Sequence, residues 1–275
     1  MKICAACSQE LPKEKFSKKQ WQLKQQRRCK ECIAANQEVN LETPNIDSPQ
    51  GASDEDLFKH PPPRDECHIC MLTLPLLLEE TAYKACCGKT LCNGCSYADV
   101  IENNRCLCPF CRTPVATSNG EEMKRTKKRA EDDDAMAISN LGYHYYDGRM
   151  GLPQNYRKAI KLWLRAGELG DALAYHNLAN AYENGEGVER DTKKAKHYWE
   201  LAAMGGEVEA RYALGVNECN AGSMNRAMKH WMIAAGVGHD DSLTNIREGF
   251  LRGLVTKDDF EKALRGHKEA KDAMK

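Results

Sequence analysis

Cysteines in pairs separated by two residues dominate the first 111 residues of the chain. The central run reads Cys67-x2-Cys70-x15-Cys86-Cys87-x4-Cys92-x2-Cys95-x12-Cys108-x2-Cys111, and two earlier pairs are Cys4-x2-Cys7 and Cys29-x2-Cys32. Thirteen of the 14 cysteines lie here; the last, Cys219, stands alone. Four thiolates at tetrahedral angles close a structural zinc site, and a C-x2-C pair on a tight turn places two sulfurs on one ion. Paired spacing therefore reads as zinc ligation in a reducing compartment, not as a disulfide framework. The central run implies two zincs and the N-terminal pairs one more, three in all. A stretch of about 50 residues is too small to rest on core burial alone. A structural zinc supplies the missing stability, on the order of 10–16 kcal/mol apparent per site.

These cysteines need elements to hold them, and the 275 residues divide by composition. Residues 1–40 are expected to form an N-terminal zinc finger. Residues 41–63 (LETPNIDSPQGASDEDLFKHPPP) are rich in Pro, Ser and Asp and read as a disordered linker. Residues 64–116 hold the dense cysteine cluster. Residues 117–134 read as a charged linker, changing sign from Lys124-Arg125-Thr126-Lys127-Lys128-Arg129 to Glu131–Asp134.

Residues 135–239 repeat. Asn140-Leu141-Gly142 returns as Asn177-Leu178-Ala179, and Leu178 returns as Leu214, periods of 37 and 36. Trp163, Trp199 and Trp231 recur at one place in the unit, each followed three residues on by alanine: Ala166, Ala202 and Ala234. Each unit closes on glycine: Gly170, Gly206 and Gly238. The interval from Trp199 to Trp231 is only 32, so the third unit has lost four residues from its inner loop. Apolar and small residues fall at helical spacing, with Gly148, Gly151, Gly185 and Gly187 at the turns. A single helical hairpin cannot bury its own face, but stacked hairpins can. Residues 240–275 read as a degenerate repeat with capping helices, and Thr256-x-x-Asp259 as a helix start. The expected fold class is multidomain: small zinc-stabilised α+β modules followed by an all-α helical-repeat superhelix.

The tandem unit resembles the Sel-one-like repeat, a relative of the tetratricopeptide repeat. Its best copy is residues 171–206, with Asn177-Leu178-Ala179, Tyr182, Gly185, Gly187, Trp199 and Gly205-Gly206. The resemblance implies a groove that recruits a protein partner. The cysteine run, with Cys108-Pro109-Phe110-Cys111, resembles the RING finger. That resemblance implies interleaved ligation: Cys67, Cys70, Cys92 and Cys95 on the first zinc, and Cys86, Cys87, Cys108 and Cys111 on the second. Lys89 falls at the family's usual histidine and is a poor ligand while protonated. The all-cysteine subtype uses another cysteine nearby, here Cys86, with Cys106 as the alternative.

RING domains of the ligase kind hold a ubiquitin-conjugating enzyme and restrain its thioester-linked ubiquitin, which is catalysis by positioning. The contact positions carried over are Ile69, Pro109 and Arg112, and no covalent catalytic residue is implied. A guanidinium suits the bridging place after the last ligand. Asp99 falls near a position where many active members carry tryptophan, with Tyr97, Val100 or Ile101 as substitutes. The function expected is a zinc-binding RING-type ubiquitin ligase that recruits its substrate through the repeats. The alternative is a non-enzymatic scaffold for protein or chromatin complexes.

Leu11 to Trp21 followed by Arg27-Arg28-Cys29-Lys30-Glu31-Cys32 resembles the LIM-like zinc domain of the heterochromatin adaptor Stc-one. Phe16 and Trp21 then pack on the zinc knuckle, and Lys13 to Lys30 offer cations to nucleic-acid phosphates. The run Lys124–Arg129 resembles a nuclear import signal, so the expected location is cytoplasmic, nuclear or both.

Lys+Arg and Asp+Glu balance at 40 each, which argues against bulk-surface binding to nucleic acid or anionic membrane. The most apolar run, Met71 to Leu78, is interrupted by Pro75 and too short to span a bilayer, and the N-terminus lacks a signal-like apolar stretch. Trp163, Trp199 and Trp231 read as core. His144, His176, His197 and His230 read as groove or surface residues, and Cys219 as a small buried apolar one.

Overall fold

A computed structural model describes residues 2–3, 10–12, 52–103 and 106–274. An antiparallel pair, β1 (Lys2–Ile3) and β2 (Glu10–Leu11), opens the chain. The short helix α1 (Asp54–Leu57) follows. The cysteine module contains a one-turn 3-10 segment (Leu78–Glu80), the hairpin β3 (Thr81–Lys84) and β4 (Lys89–Cys92), and helix α2 (Asn93–Asn103). In the hairpin, Thr81 faces Cys92 and Lys84 faces Lys89.

From residue 119 onward the chain is helical: α3 (Asn119–Glu131), α4 (Ala135–Asp147), α5 (Tyr156–Glu168), α6 (Ala172–Asn184), α7 (Thr192–Met204), α8 (Val208–Asn220), α9 (Met224–Gly236), α10 (Asp240–Leu251) and α11 (Lys257–Ala273). Consecutive helices pack as the hairpins α4–α5, α6–α7 and α8–α9, stacked side by side, and α10 and α11 cover the last. Among the described residues no helix is long and apolar enough to cross a membrane.

The repeat signature has a direct packing cause. Trp163 lies 2% exposed against Gly142, where an added Cβ would come within 2.7 Å of the indole nitrogen. Trp231 lies against Gly215 in the same way, and Ala179 is the small residue at the equivalent place in the second unit. Ala166, Ala202 and Ala234 are buried, which lets adjacent helices approach closely. Gly148 and Gly185 close α4 and α6 in the left-handed conformation, at φ 67° and 73°. Trp163→Ala should cost about 3–5 kcal/mol, read as a lower midpoint of helix loss on denaturant titration.

Each first helix of a unit begins at the same kind of cap. Asp134, Asp171, Glu207 and His239 accept N–H groups of the turn that follows. Thr256 caps α11 as expected, accepting from the Asp259 N–H at 3.2 Å and giving its hydroxyl proton to the Asp259 carboxylate at 2.8 Å. Burial pushes the Glu207 carboxyl up to about 7, and Glu209 and Asp171 add to the effect. The fold therefore favours neutral Glu207. Its contribution is fully present below the ordinary value of 4.5 and is lost as pH rises through about 7. Glu207→Gln should match the native chain near pH 4.5 and be more stable at pH 8 by on the order of 1–2 kcal/mol. Thermal melts of both proteins across that range test it.

Two expectations from composition are corrected. Residues 117–134 are not a linker: Ser118 caps α3, and Met123, Thr126 and Ala130 bury one face of it. Residues 52–63, the described part of the expected disordered linker, are ordered against the repeats. Leu57 is fully buried in the same core as Trp163 and Leu214. An acidic, proline-flanked sequence reads as solvated because the groove that receives it lies about 150 residues away. The region expected to hold a degenerate repeat and capping helices contains α10 and α11, which pack on α9.

Candidate metal centres

The two four-cysteine sets come together as interleaved pairs. The Sγ atoms of Cys67, Cys70, Cys92 and Cys95 all lie within 4.8 Å of one another, and so do those of Cys86, Cys87, Cys108 and Cys111. Close approaches are 3.9 Å for Cys70–Cys92, 3.9 Å for Cys87–Cys108 and 3.5 Å for Cys86–Cys111. Tetrahedral zinc with Zn–S near 2.3 Å requires sulfurs about 3.8 Å apart, so both sets fit that ion. Cys106 is exposed and belongs to neither set, and Lys89 lies in β4 outside both. Cys86, for which the sequence left Cys106 as an alternative, thus stands beside Cys87 in the second set.

Local backbone geometry explains why the C-x2-C pairs form. Cys67 N–H donates to Leu72 O and Met71 N–H to Cys67 O, at 2.8 and 2.9 Å. Cys108 N–H donates to Thr113 O and Arg112 N–H to Cys108 O in the same register, at 2.7 and 2.8 Å. The residue after each second cysteine turns left-handed, Met71 and Arg112 both at φ 60°. Isolated bridges Glu66↔Thr73 and Leu107↔Pro114 close the two loops. Each joins the residue before the first cysteine to the third residue after the second. The pairing Ile3↔Glu10 of β1 and β2 brackets Cys4 and Cys7 with that same register. Cys4, Cys7, Cys29 and Cys32 themselves, with Phe16, Trp21 and the whole basic stretch Lys13 to Lys30, lie outside the described residues.

The thiols divide electrostatically. For Cys67, burial works against ionisation, but backbone N–H groups of Cys70, Cys92 and Ile69 outweigh it and bring the thiol down to about 6. Cys111 also falls to about 6: burial opposes it, and hydrogen bonds from Thr113 prevail. Burial, with crowding by neighbouring sulfurs, pushes Cys95 up to about 12 and Cys86 higher still. Within each set one thiol is lowered while neighbouring thiols are raised, and a bound cation would compensate their ionisation.

The two loops present an apolar face. Ile69, Met71, Leu72 and Phe110 are 41%, 64%, 44% and 43% exposed. His68 and Phe110 meet edge to face at 5.9 Å and tie the loops together. Pro109 is half-buried and Arg112 exposed on the same loop as Phe110. Tyr97 on α2 is exposed; the side chains of Asp99, Val100 and Ile101 are outside the described set.

Helix α3 holds the module from the other side. Arg129 donates to the carbonyls of Ala85 and Cys86 at 2.9 and 3.4 Å and pairs with Asp134 at 3.2 Å. Tyr83 also donates to Asp134, at 2.8 Å, and Arg125 to the Pro114 carbonyl at 2.8 Å. A Cβ on Gly88 would come within 2.5 Å of Arg129, so the turn after Cys87 lies directly on this ion pair. Arg64 bonds the Leu74 carbonyl and the sulfur of Met274 near the chain's end. These struts were not foreseen. Arg125 and Arg129 stand four residues apart on one helical face, which was the available signal. The import-like run is thus part of a helix, with two of its cations turned onto the cysteine module.

The Sel1 repeat family model matches residues 135–171 and 172–207. Residues 135–207 are two Sel1 repeats. A Sel1 repeat protein of Oxalobacter formigenes, solved by crystallography, superposes at TM-score 0.51 with 28% identity, covering 58% of this chain and 67% of that one. The antigen c5321 of uropathogenic Escherichia coli, described as displaying an SLR fold, aligns at TM-score 0.49 with 22% identity over 59% of this chain and 35% of that one. The Arabidopsis thaliana protein named ERAD-associated E3 ubiquitin-protein ligase component HRD3B is 28% identical over 111 residues, 40% of this chain. The chain spans only 17% of that relative's length. Within the all-α region expected downstream of the cysteines, residues 135–207 thus match the Sel1 repeat, and the stacked hairpins share the fold of a solved Sel1 repeat protein.

Proposed function

We propose that this chain is a RING-type zinc protein that acts as a ubiquitin ligase and recruits its substrate through the Sel1 repeats. One observation carries the reading. Two interleaved cysteine sets bring Ile69, Pro109 and Arg112 onto adjoining loops whose apolar face stays exposed while the module is docked on the repeats. Cys67, Cys70, Cys92 and Cys95 hold one zinc, and Cys86, Cys87, Cys108 and Cys111 a second. Cys4, Cys7, Cys29 and Cys32 hold a third, a reading supported by the shared register of β1–β2 and the two central loops. The zinc ions supply charge neutralisation and cross-linking only.

The chain's own residues act by positioning. Ile69 and Pro109 seat the conjugating enzyme, and Arg112 bridges enzyme and ubiquitin through its fork of donors. The Arabidopsis relative, named as a component of an E3 ubiquitin-protein ligase, agrees with this setting. Asp99 in place of tryptophan favours a second reading, a non-enzymatic scaffold built on the same fold. Reconstituted ubiquitin transfer with a broad panel of conjugating enzymes separates the two. Chain formation that falls on Ile69→Ala or Arg112→Ala supports the ligase; transfer absent with every enzyme supports the scaffold.

A further inference from the structure

The three repeat units are not equivalent at one place. In the second unit, Tyr175, Tyr182 and Tyr198 stack on one another, with ring centroids 6.0 and 5.6 Å apart, between α6 and α7. The repeat offsets of 36 and 32 carry these positions to Arg211, Glu218 and His230 in the third unit. The first unit has Ile138, Tyr145 and Leu162 there. Three apolar or aromatic positions have become charged or polar in one unit only, yet Arg211, Glu218 and His230 are 3%, 3% and 0% exposed. The chain's own segment 52–58 lies on Arg211 and His230, and Lys196 and Arg226 pair with Glu218 beside it.

That segment is held as a peptide is held. Glu200 accepts the Ala52 N–H at 3.3 Å. Arg226 pairs with the Asp54 carboxylate and is itself fixed by Glu218 at 3.2 Å. Leu57 fills a fully buried pocket. Its carbonyl accepts one amine of Arg211, whose other amine is bound to the Ala203 carbonyl at 2.7 Å. Phe58 lies on the His230 ring at 4.7 Å, with Arg226 and Lys229 at 5.3 and 5.2 Å from its centroid. Among the described residues neither nitrogen of His230 has a hydrogen-bond partner, and burial, with the Arg211 charge, favours the neutral imidazole. A buried guanidinium with one of its two bonded amines facing a groove is a receptor for a backbone carbonyl, because leaving it unmet is costly.

We propose that the groove between α7 and α9, floored by α8, is a recognition site for acidic peptides of the pattern Asp-x-x-Leu-Phe on one helical turn. In this chain residues 54–58 occupy the site as an internal substitute, and a partner protein bearing the pattern enters by displacing them. Displacement is feasible because Ser53 to Asp56 are exposed, and besides Leu57 and Phe58 the segment is held by the Ala52 N–H and the exposed Asp54 carboxylate. A tethered occupant competes at an effective concentration near the millimolar range, so the closed chain binds a free peptide weakly. This inference rests on the repeats being a partner-binding scaffold, and it is independent of the cysteine module. A negative ubiquitin assay leaves it standing, and a negative peptide titration leaves the ligase reading standing.

The test is fluorescence anisotropy of a labelled peptide of residues 52–60 added to the full chain. The Leu57→Ala/Phe58→Ala chain should bind it at least tenfold more tightly than the native chain, and a peptide with the same two alanines should not bind. Arg226→Glu in the opened chain should abolish binding, and a peptide carrying Asp54→Lys should restore it. If the doubly substituted chain loses helix content, Asp54→Lys in the native chain, which breaks one exposed ion pair, should raise peptide affinity about threefold. No binding to a folded opened chain, equal binding of the alanine peptide, or exchange of the segment between two copies into a dimer would each overturn the proposal.

Discussion

Stripping metal with a strong chelator at neutral pH is expected to unfold residues 64–116 while the Sel1 repeats stay helical. Among the described residues the module's own buried apolar cluster is Cys67, Leu74 and Leu91, with Cys92 and Cys95 packed against it. That is far short of what a unit of its size needs to overcome chain entropy. Two closed thiolate sites would add on the order of 10–16 kcal/mol each, apparent, at pH 7. The repeats depend on nothing of the kind; Trp163, Leu178, Tyr182, Trp199 and Leu214 are buried in a continuous apolar core of their own. Hydrogen exchange should show the backbone bonds of Cys67, Cys108 and the β3–β4 hairpin lost within the chelation time. Helix amides in α4 to α9 should change little, except beside Asp134, where Tyr83 and Arg129 release. Cys67→Ser or Cys108→Ser should reproduce the loss at one site, because each removes a buried ligand. A module that keeps its protection without metal would show that the cysteines are structural thiols.

The second large effect separates stability from transfer. Ile69→Ala and Arg112→Ala should each lower ubiquitin discharge at least tenfold, about 1.4 kcal/mol or more, with zinc content and melting unchanged. Both side chains are exposed, so truncation opens no cavity. Arg112→Gly sharpens the test. Arg112 sits at φ 60°, a conformation that costs a residue with a side chain about 1–2 kcal/mol and glycine little. Its replacement by glycine should leave the module as stable or more so while transfer still falls. Parallel loss of stability and transfer would mean that Arg112 acts only on the fold.

Much of this architecture is legible in the residues, and what escaped did so for physical reasons. The C-x2-C pairs announce tight turns because two sulfurs must reach one ion, and the structure forms both central turns with one register. The Trp–Ala–Gly period announces hairpins because an indole lying on glycine leaves no alternative packing. Composition misjudged residues 117–134 and the described part, residues 52–63, of the other segment read as a linker. The charges of α3 looked solvated, yet Arg125 and Arg129 satisfy carbonyls of the cysteine module. The acidic run 52–58 looked disordered because its partners, Glu200, Arg211, Arg226 and His230, are distant in sequence. Three local signs were available: Ser53 placed to cap Asp56, the Leu57-Phe58 pair inside an acidic run, and the replacement of Tyr175, Tyr182 and Tyr198 by Arg211, Glu218 and His230. His230 itself, expected at a groove or surface, is buried beneath Phe58.

The central claim is that the interleaved cysteines are two zinc sites. Metal content per chain, measured together with the zinc-edge X-ray absorption spectrum, tests it most directly. The full chain should carry three zincs, and the Cys4→Ser/Cys7→Ser variant two, each surrounded by four sulfurs at about 2.3 Å. One zinc or none in that variant, or a first shell containing nitrogen or oxygen, would contradict the account.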